Sequence, residues 1–262
     1  MEILVCLKQV PDDSVELHLK PGTQEVNLEG VTPVVNAFDT YALEMATRLK
    51  EAVGGSITAI TIGPEGAKDA VKTCLAVGAN QGCLITDPSF EGADTLGKSK
   101  ILAAAIRKLE ADAGKPFDLI FCGREATDKA SGQVGPQLAE ALGVGVVTDL
   151  VDIQQTDAGV QAKQETEEGY RLVDAPLPCV VTVNKPPYDP RYPTIKSKMA
   201  ARKATIPMLT AAAAGAVKQD NRVTCLGYSE PAKRQAGVRI QEKEAADAVA
   251  KAVAMMADAK VL

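Results

Sequence analysis

The chain has 262 residues, 46% hydrophobic and 24% charged, with 29 basic against 34 acidic side chains and a formal net charge of -5 at pH 7. That balance suits a soluble globular chain of one large domain plus an appendage, or two small ones, and it lacks the basic footprint that phosphate backbones demand, so no nucleic acid partner is expected. With no Trp, 3% aromatic residues and one His, most His-based metal sites are excluded, and only His18 is left to pair with a nucleophile.

The chain opens with EILVCLK, Glu2 to Lys8, a β-branched and apolar run that predicts a strand. No basic leader precedes it and no apolar run approaches the ~20 residues needed to cross a bilayer, so no membrane span and a cytoplasmic location are expected. His18 follows in SVELHLKPG, an alternating, strand-like stretch in which a surface or turn role competes with catalysis. A helix is predicted over Thr40 to Val53, with Ala42, Met45, Ala46 and Leu49 on one face, Asp39 as its N-cap and Gly54-Gly55 as its stop. Strands over Ser56 to Ile62, Gly82 to Thr86 and Phe117 to Cys122 then alternate with helices near Glu65 to Val77, Asp94 to Asp112 and Gly132 to Leu142. This alternation predicts an α/β fold, a parallel sheet with helices on both faces.

After Gly143 the pattern changes to VGVVTDLVDIQQ, GVQAKQET, YRLVDA and PCVVTV, with turns near Asp157-Ala158-Gly159 and Glu167-Glu168-Gly169. These segments are expected to form an antiparallel extension. KPPYDPRYP, Lys185 to Pro193, is too rich in proline for a strand or helix interior and predicts a stiff loop. A short basic helix follows over Lys196 to Lys203, then an alanine-rich linker, an irregular stretch and a last helix over Glu242 to Ala259. In that helix Ala245, Ala248, Val249, Ala252, Val253 and Met256 form one apolar stripe, suited to packing on its own domain or on another subunit. The six cysteines, Cys6, Cys74, Cys83, Cys122, Cys179 and Cys225, show no metal spacing, and four lie in or beside apolar runs as small reduced hydrophobes.

In an open parallel sheet, ligands bind beyond the carboxyl ends of the strands where strand order reverses. Three such ends carry polar or breaking residues: Lys8 to Pro11, Gly63 to Gly66 and Gly123 to Asp128. The last runs on through Ser131, Gly132, Gln133, Val134 and Gly135 into a helix. Unpaired N–H groups and the helix dipole at such a start suit a nucleotide phosphate, although Ser131 could instead merely cap the helix. It is neither a Walker loop nor a GxGxxG fingerprint, so the chemistry alone supports a nucleotide-binding α/β domain without choosing the nucleotide.

The motifs VCLKQVPD, GVTPVVNAFDTYALEMATRLKE, TIGPEGA, CLAVGA, CGREATDKASGQVGPQLAEALG and PLPCVVTVNKPPYDPRYPTIKSKMAARKA together resemble the beta subunit of electron-transfer flavoproteins, whose fold is similar to that of the adenine-nucleotide alpha-hydrolase group. The resemblance implies that residues 1–204 form a nucleotide-binding domain. Around the nucleotide it places Cys6, Asn36, Ala37, Phe38, Asp39, Ile62, Gly63, Ala126, Thr127, Asp128, Lys129, Ala130, Ser131, Gly132, Gln133, Val134, Gly135, Pro136 and Gln137. It implies an alpha subunit carrying a redox FAD, contacted by a C-terminal arm within residues 205–262. The loop from Asn184 to Tyr192 resembles one that docks an acyl-CoA dehydrogenase, with Pro187 as its exposed anchor and Tyr188 and Arg191 beside it. One branch of the family holds structural AMP in this subunit. The electron-bifurcating branch holds FAD there, oxidises NADH, and divides the electrons between ferredoxin or flavodoxin and the alpha-subunit FAD. NAFDTYALE and QVGP look more like the bifurcating branch, which usually has Asp-Gly-Asp-Thr where this chain has Asp128-Lys129-Ala130-Ser131. Arg124 and Arg191 are the candidate cations for flavin, with surface ion pairs as the alternative role of each. A non-redox nucleotide-binding module is the competing reading, and an ATP-using enzyme is disfavoured because KQVPDD replaces a glycine-rich loop after the first strand.

Overall fold

The computed structural model describes residues 1–216, 221–233 and 236–262. Strand β1 (Glu2–Leu7) is followed by a small antiparallel pair, β2 (Gln9–Pro11) and β3 (Pro33–Val35), and then by helix α1 (Ala37–Val53). Next come β4 (Ser56–Ile62), α2 (Lys68–Val77), β5 (Gln81–Ile85), α3 (Thr95–Ala113), β6 (Leu119–Gly123) and α4 (Val134–Leu142). The later part contributes β7 (Gly145–Thr156), β8 (Gly159–Thr166), β9 (Gly169–Ala175), β10 (Cys179–Val183), α5 (Ile195–Lys203), β11 (Met208–Leu209), α6 (Ala211–Ala214) and α7 (Ala245–Asp258).

The main sheet has the order β11-β5-β4-β1-β6-β10-β7-β8-β9, parallel from β11 through β7 and antiparallel over β7, β8 and β9. Period-two alternation sends neighbouring residues of one strand to opposite faces. Along β1, Ile3, Val5 and Leu7 join the core shared with Ala42, Met45, Ala46 and Leu49 of α1 and Val71 of α2. Leu4 and Cys6 enter the opposite core, with Ile101, Leu102, Ala105 and Ile106 of α3 and Leu138 of α4. Helices therefore cover both faces, and the predicted α/β fold is what the chain adopts.

The structure corrects four local expectations. PCVVTV was expected in the antiparallel extension, but β10 inserts between β6 and β7, parallel to both. All five of its residues are buried, as befits a strand covered on both faces. β7 serves two partners: its start pairs with β10 and its remainder with β8, across a register shift at which Asp149 takes φ 56° and donates its N–H to Thr182 Oγ1 at 3.1 Å. Asp39 does not cap α1; the cap position is Asn36, and Asp39 lies buried inside the first turn. The strand-like stretch around His18 has a single bridge, Leu19 to Val26, and His18 Nδ1 lies 3.6 Å from Glu230 Oε1. The alanine-rich run forms α6, whose Ala214 packs into the core shared by α3 and α4.

Two compact units are distinguished. One comprises Met1–Leu17 with Asn27–Leu226 and contains the whole sheet; the other comprises His18–Val26 with Gly227–Leu262 and contains α7. No residue of α7 is buried, and Val249, Val253 and Met256 of its predicted stripe are exposed. Among the described residues no helix is long and apolar enough to cross a membrane.

Candidate functional site

Strand order reverses at β1, which continues on one side to β4 and β5 and on the other to β6. Beyond the carboxyl ends of β1 and β6 lies an open cleft, at the position where open parallel sheets bind ligands. Its apolar wall includes Leu7, Ile62, Leu102 and Val134, and its floor carries the Cys6 and Cys122 thiols. A hydrogen bond with Cys122, together with burial, holds the Cys6 thiol well above its ordinary range. Such a thiol stays protonated and serves as packing, not as a nucleophile.

Asp39 forms the keystone under this cleft. Its two carboxylate oxygens accept the N–H of Lys8, at the end of β1, at 2.7 Å and that of Gly123, at the end of β6, at 3.1 Å. Burial pushes its pKa from 3.8 up to about 7, against the lowering pull of hydrogen bonds from Asn36, Lys8 and Gly123. The approach is close enough that a Cβ on Gly123 would stand 2.3 Å from Asp39 Oδ1. Asn36, 1% exposed, staples the next loop: its Nδ2 donates to Glu125 O at 2.8 Å and its Oδ1 accepts from Thr127 N at 3.0 Å.

The loop from residue 126 to 133 then leads into α4, whose helix starts two residues later than the sequence predicted. Ser131 does not cap it; no side chain does. Among the described residues the N–H groups of Ser131 to Gly135 find no acceptor in the protein, so α4 presents an uncapped positive end to the cleft. Gly135 lets that end lie flat on the sheet, since a Cβ there would meet Thr182 Cγ2 at 2.4 Å. Lys98 of α3 reaches the same cleft; burial first, and then the neighbouring charge of Lys8, lowers its pKa. Lys8 itself is held by Asp128, with Nζ at 2.6 and 2.7 Å from the two carboxylate oxygens. Arg124 lines the cleft while its Nε lies 3.3 Å from Asp149 Oδ1.

Of the residues expected around a nucleotide, the structure gathers Cys6, Asn36, Asp39, Ile62, Arg124, Ala126, Lys129, Ser131, Gly132, Gln133, Val134 and Gly135 at the cleft. Ala37, Phe38, Thr127, Asp128, Ala130, Pro136 and Gln137 are not part of this lining. Gly63 belongs to an adjoining cleft, bordered by Val10, Pro33, Pro64 and Phe90, that shares Lys8, Ile62 and Lys98 with the first. Gln137 Oε1 is buried without a partner. Thr95, Lys98 and Leu102 of α3 were missed, since nothing in TLGKSKILAAA marks a ligand face; the small buried neighbours Gly97 and Ser99 are the nearest signal.

The loop 184–192 lies elsewhere on the same unit. Pro187 is exposed as expected, but Tyr192, 92% exposed, and Ile195, 81% exposed, are larger apolar surfaces beside it. Tyr188 and Arg191 turn inward onto α1. Both candidate arginines form ion pairs, Arg124 with Asp149 while it lines the cleft and Arg191 with Glu44.

A family model described as the electron transfer flavoprotein domain matches residues 26–214. The chain belongs to the electron transfer flavoprotein family. It is 44% identical over 218 residues to the electron transfer flavoprotein subunit beta of Megasphaera elsdenii, covering 82% of this chain and 80% of the relative. It is 39% identical over 207 residues to the caffeyl-CoA reductase-Etf complex subunit CarD of Acetobacterium woodii, covering 79% and 77% of the two chains. With protein FixA of Azotobacter vinelandii it shares 35% over 218 residues, covering 82% and 76%. These relatives place the chain on the beta-subunit side of the family and attach electron transfer to it. The cleft fits the family's nucleotides, because a donor set of backbone N–H groups and lysines faces an apolar wall, the pairing that a phosphate and a ring system need.

Proposed function

We propose that this chain is the beta subunit of a heterodimeric electron-transfer flavoprotein and that its cleft holds FAD. One observation favours FAD over structural AMP: a second cleft adjoins the first and shares Lys8, Ile62 and Lys98 with it, so a ligand longer than a mononucleotide has a neighbouring recess to extend toward. In this reading the N–H groups of Ser131 to Gly135 and the Lys98 ammonium bind phosphate, while Leu7, Ile62, Leu102 and Val134 exclude water from a ring. When bound, the flavin supplies the one- and two-electron chemistry that no side chain here provides. Asp39 and Asn36 hold the strand ends and the loop in the geometry that the ligand meets.

The partners proposed are an alpha subunit, reached by the C-terminal arm with α7, and an acyl-CoA dehydrogenase or reductase, docked at the loop 184–192. The name of the caffeyl-CoA reductase complex supports the second. The NAFDTYALE and QVGP motifs favour electron bifurcation, with NADH as donor and ferredoxin or flavodoxin as the low-potential acceptor. Co-expression with a candidate alpha subunit tests the core of this reading. The expected product is a yellow heterodimer; a colourless chain that never associates would sink it.

A further inference from the structure

Two acidic side chains of α1 and two arginines form a closed cluster against the loop 184–192. Glu44, whose side chain is 2% exposed, accepts Arg48 Nε at 2.7 Å, Arg191 N at 3.1 Å, Arg191 Nε at 2.7 Å and Arg191 Nη2 at 3.2 Å. Arg191 reaches Glu51 as well, through Nη1 at 2.5 Å and Nη2 at 3.0 Å. The Arg48 guanidinium in turn lies 3.9 Å over the Tyr188 ring. All three nitrogens of the Arg191 guanidinium are therefore engaged inside the chain. Although burial alone would raise the Glu44 pKa, the hydrogen bonds from Arg191 and Arg48 outweigh it and hold the group below its ordinary value.

The residues of the cluster alternate with those turned to solvent. Pro187 faces out and Tyr188 in; Arg191 faces in and Tyr192, next along the chain, is 92% exposed. Anchoring the backbone at residues 188 and 191 fixes the direction in which 187 and 192 project. A loop ordered in advance loses less freedom when it docks.

We infer that Glu44 and Arg191 are positioning residues that pre-order the loop 184–192 for its redox partner, Arg191 acting through the loop and not by touching the partner. This rests on the reading of that loop as the docking element, and the test separates the two. The heterodimer is assayed with a purified acyl-CoA dehydrogenase that the wild type turns over, varying the concentration of the flavoprotein. Arg191→Gln leaves Glu44 paired with Arg48, so the chain folds; it is expected to raise KM for the flavoprotein about tenfold, with kcat changed less than twofold and nucleotide content unchanged. Amide exchange over residues 185–193 should accelerate at the same time. Arg191→Lys, which keeps the charge but not the bidentate reach, should fall between the two.

Tyr192→Ala serves as the control on the docking reading. If it leaves KM unchanged, the loop does not dock and the underlying reading fails. If Tyr192→Ala raises KM while Arg191→Gln accelerates exchange without moving KM, the loop docks but the cluster does not position it, and the inference is overturned. Unchanged exchange over 185–193 in Arg191→Gln would overturn it too.

Discussion

The carboxyl of Asp39 ties the ends of β1 and β6 to the first turn of α1, and its burial there makes the fold sensitive to pH. In an unfolded chain its pKa is near 3.8, whereas burial raises it to about 7 in the fold. The native state therefore binds a proton that the unfolded state releases between these values, and stability falls as the pH climbs through that window. Below 3.8 the effect vanishes; above about 7 the loss is complete, on the order of 4 kcal/mol in all. Between pH 5 and pH 8 the share lost is about 2.5 kcal/mol. Asp39→Asn removes the titration, and its single oxygen satisfies only one of the two N–H groups, from Lys8 or Gly123, that the carboxylate accepts now. The orphaned donor costs about 1–3 kcal/mol at any pH. Urea unfolding of both proteins at half-unit steps from pH 5 to 8 should show the variant less stable at pH 5, with the gap narrowing by about 2.5 kcal/mol by pH 8. Parallel pH profiles in the two proteins would refute the reasoning, because they would mean that Asp39 keeps one protonation state throughout.

The remaining predictions concern the cleft. Gly135→Ala places a Cβ 2.4 Å from Thr182 Cγ2, so the start of α4 must lift from β10; nucleotide affinity should fall at least tenfold, measured by equilibrium dialysis, with far-UV circular dichroism unchanged. Ser131→Asp brings negative charge to the uncapped end of α4 and should expel the nucleotide while the fold persists; wild-type nucleotide content would show that the phosphate lies elsewhere. Lys98→Gln removes a half-buried cation from the junction of the two clefts. It should weaken nucleotide binding about tenfold and flatten its dependence on salt, read by isothermal titration calorimetry at two ionic strengths.

What the sequence shows depends on how local the cause is. The strands β1, β4, β5 and β6 announce themselves as short apolar runs, and Gly54-Gly55 ends α1 where two flexible residues stand together. The turns before β8 and β9 carry glycines at φ 147° and 141°, Gly159 and Gly169, in the places that turn chemistry suggested. β10 misled because its partners β6 and β7 are fixed by tertiary packing; its one signal was the unbroken apolar run CVVTV, which fits a doubly covered strand better than a half-exposed one. At the site, the loop through Ser131 was legible from its glycines and small polar residues. The cap-like position of Asp39 concealed a buried carboxylate, since burial is decided by α1 settling onto β1 and β6. The role of Arg191 was invisible for a similar reason: its partner Glu44 lies 147 positions away in the chain.

The central claim is that the cleft at the ends of β1 and β6 holds a flavin dinucleotide. Counting FAD and AMP released by acid from the purified heterodimer tests this most directly. The account predicts two FAD and no AMP per heterodimer. One FAD and one AMP would contradict it, leaving the cleft a structural AMP site and removing the basis for bifurcation by this subunit.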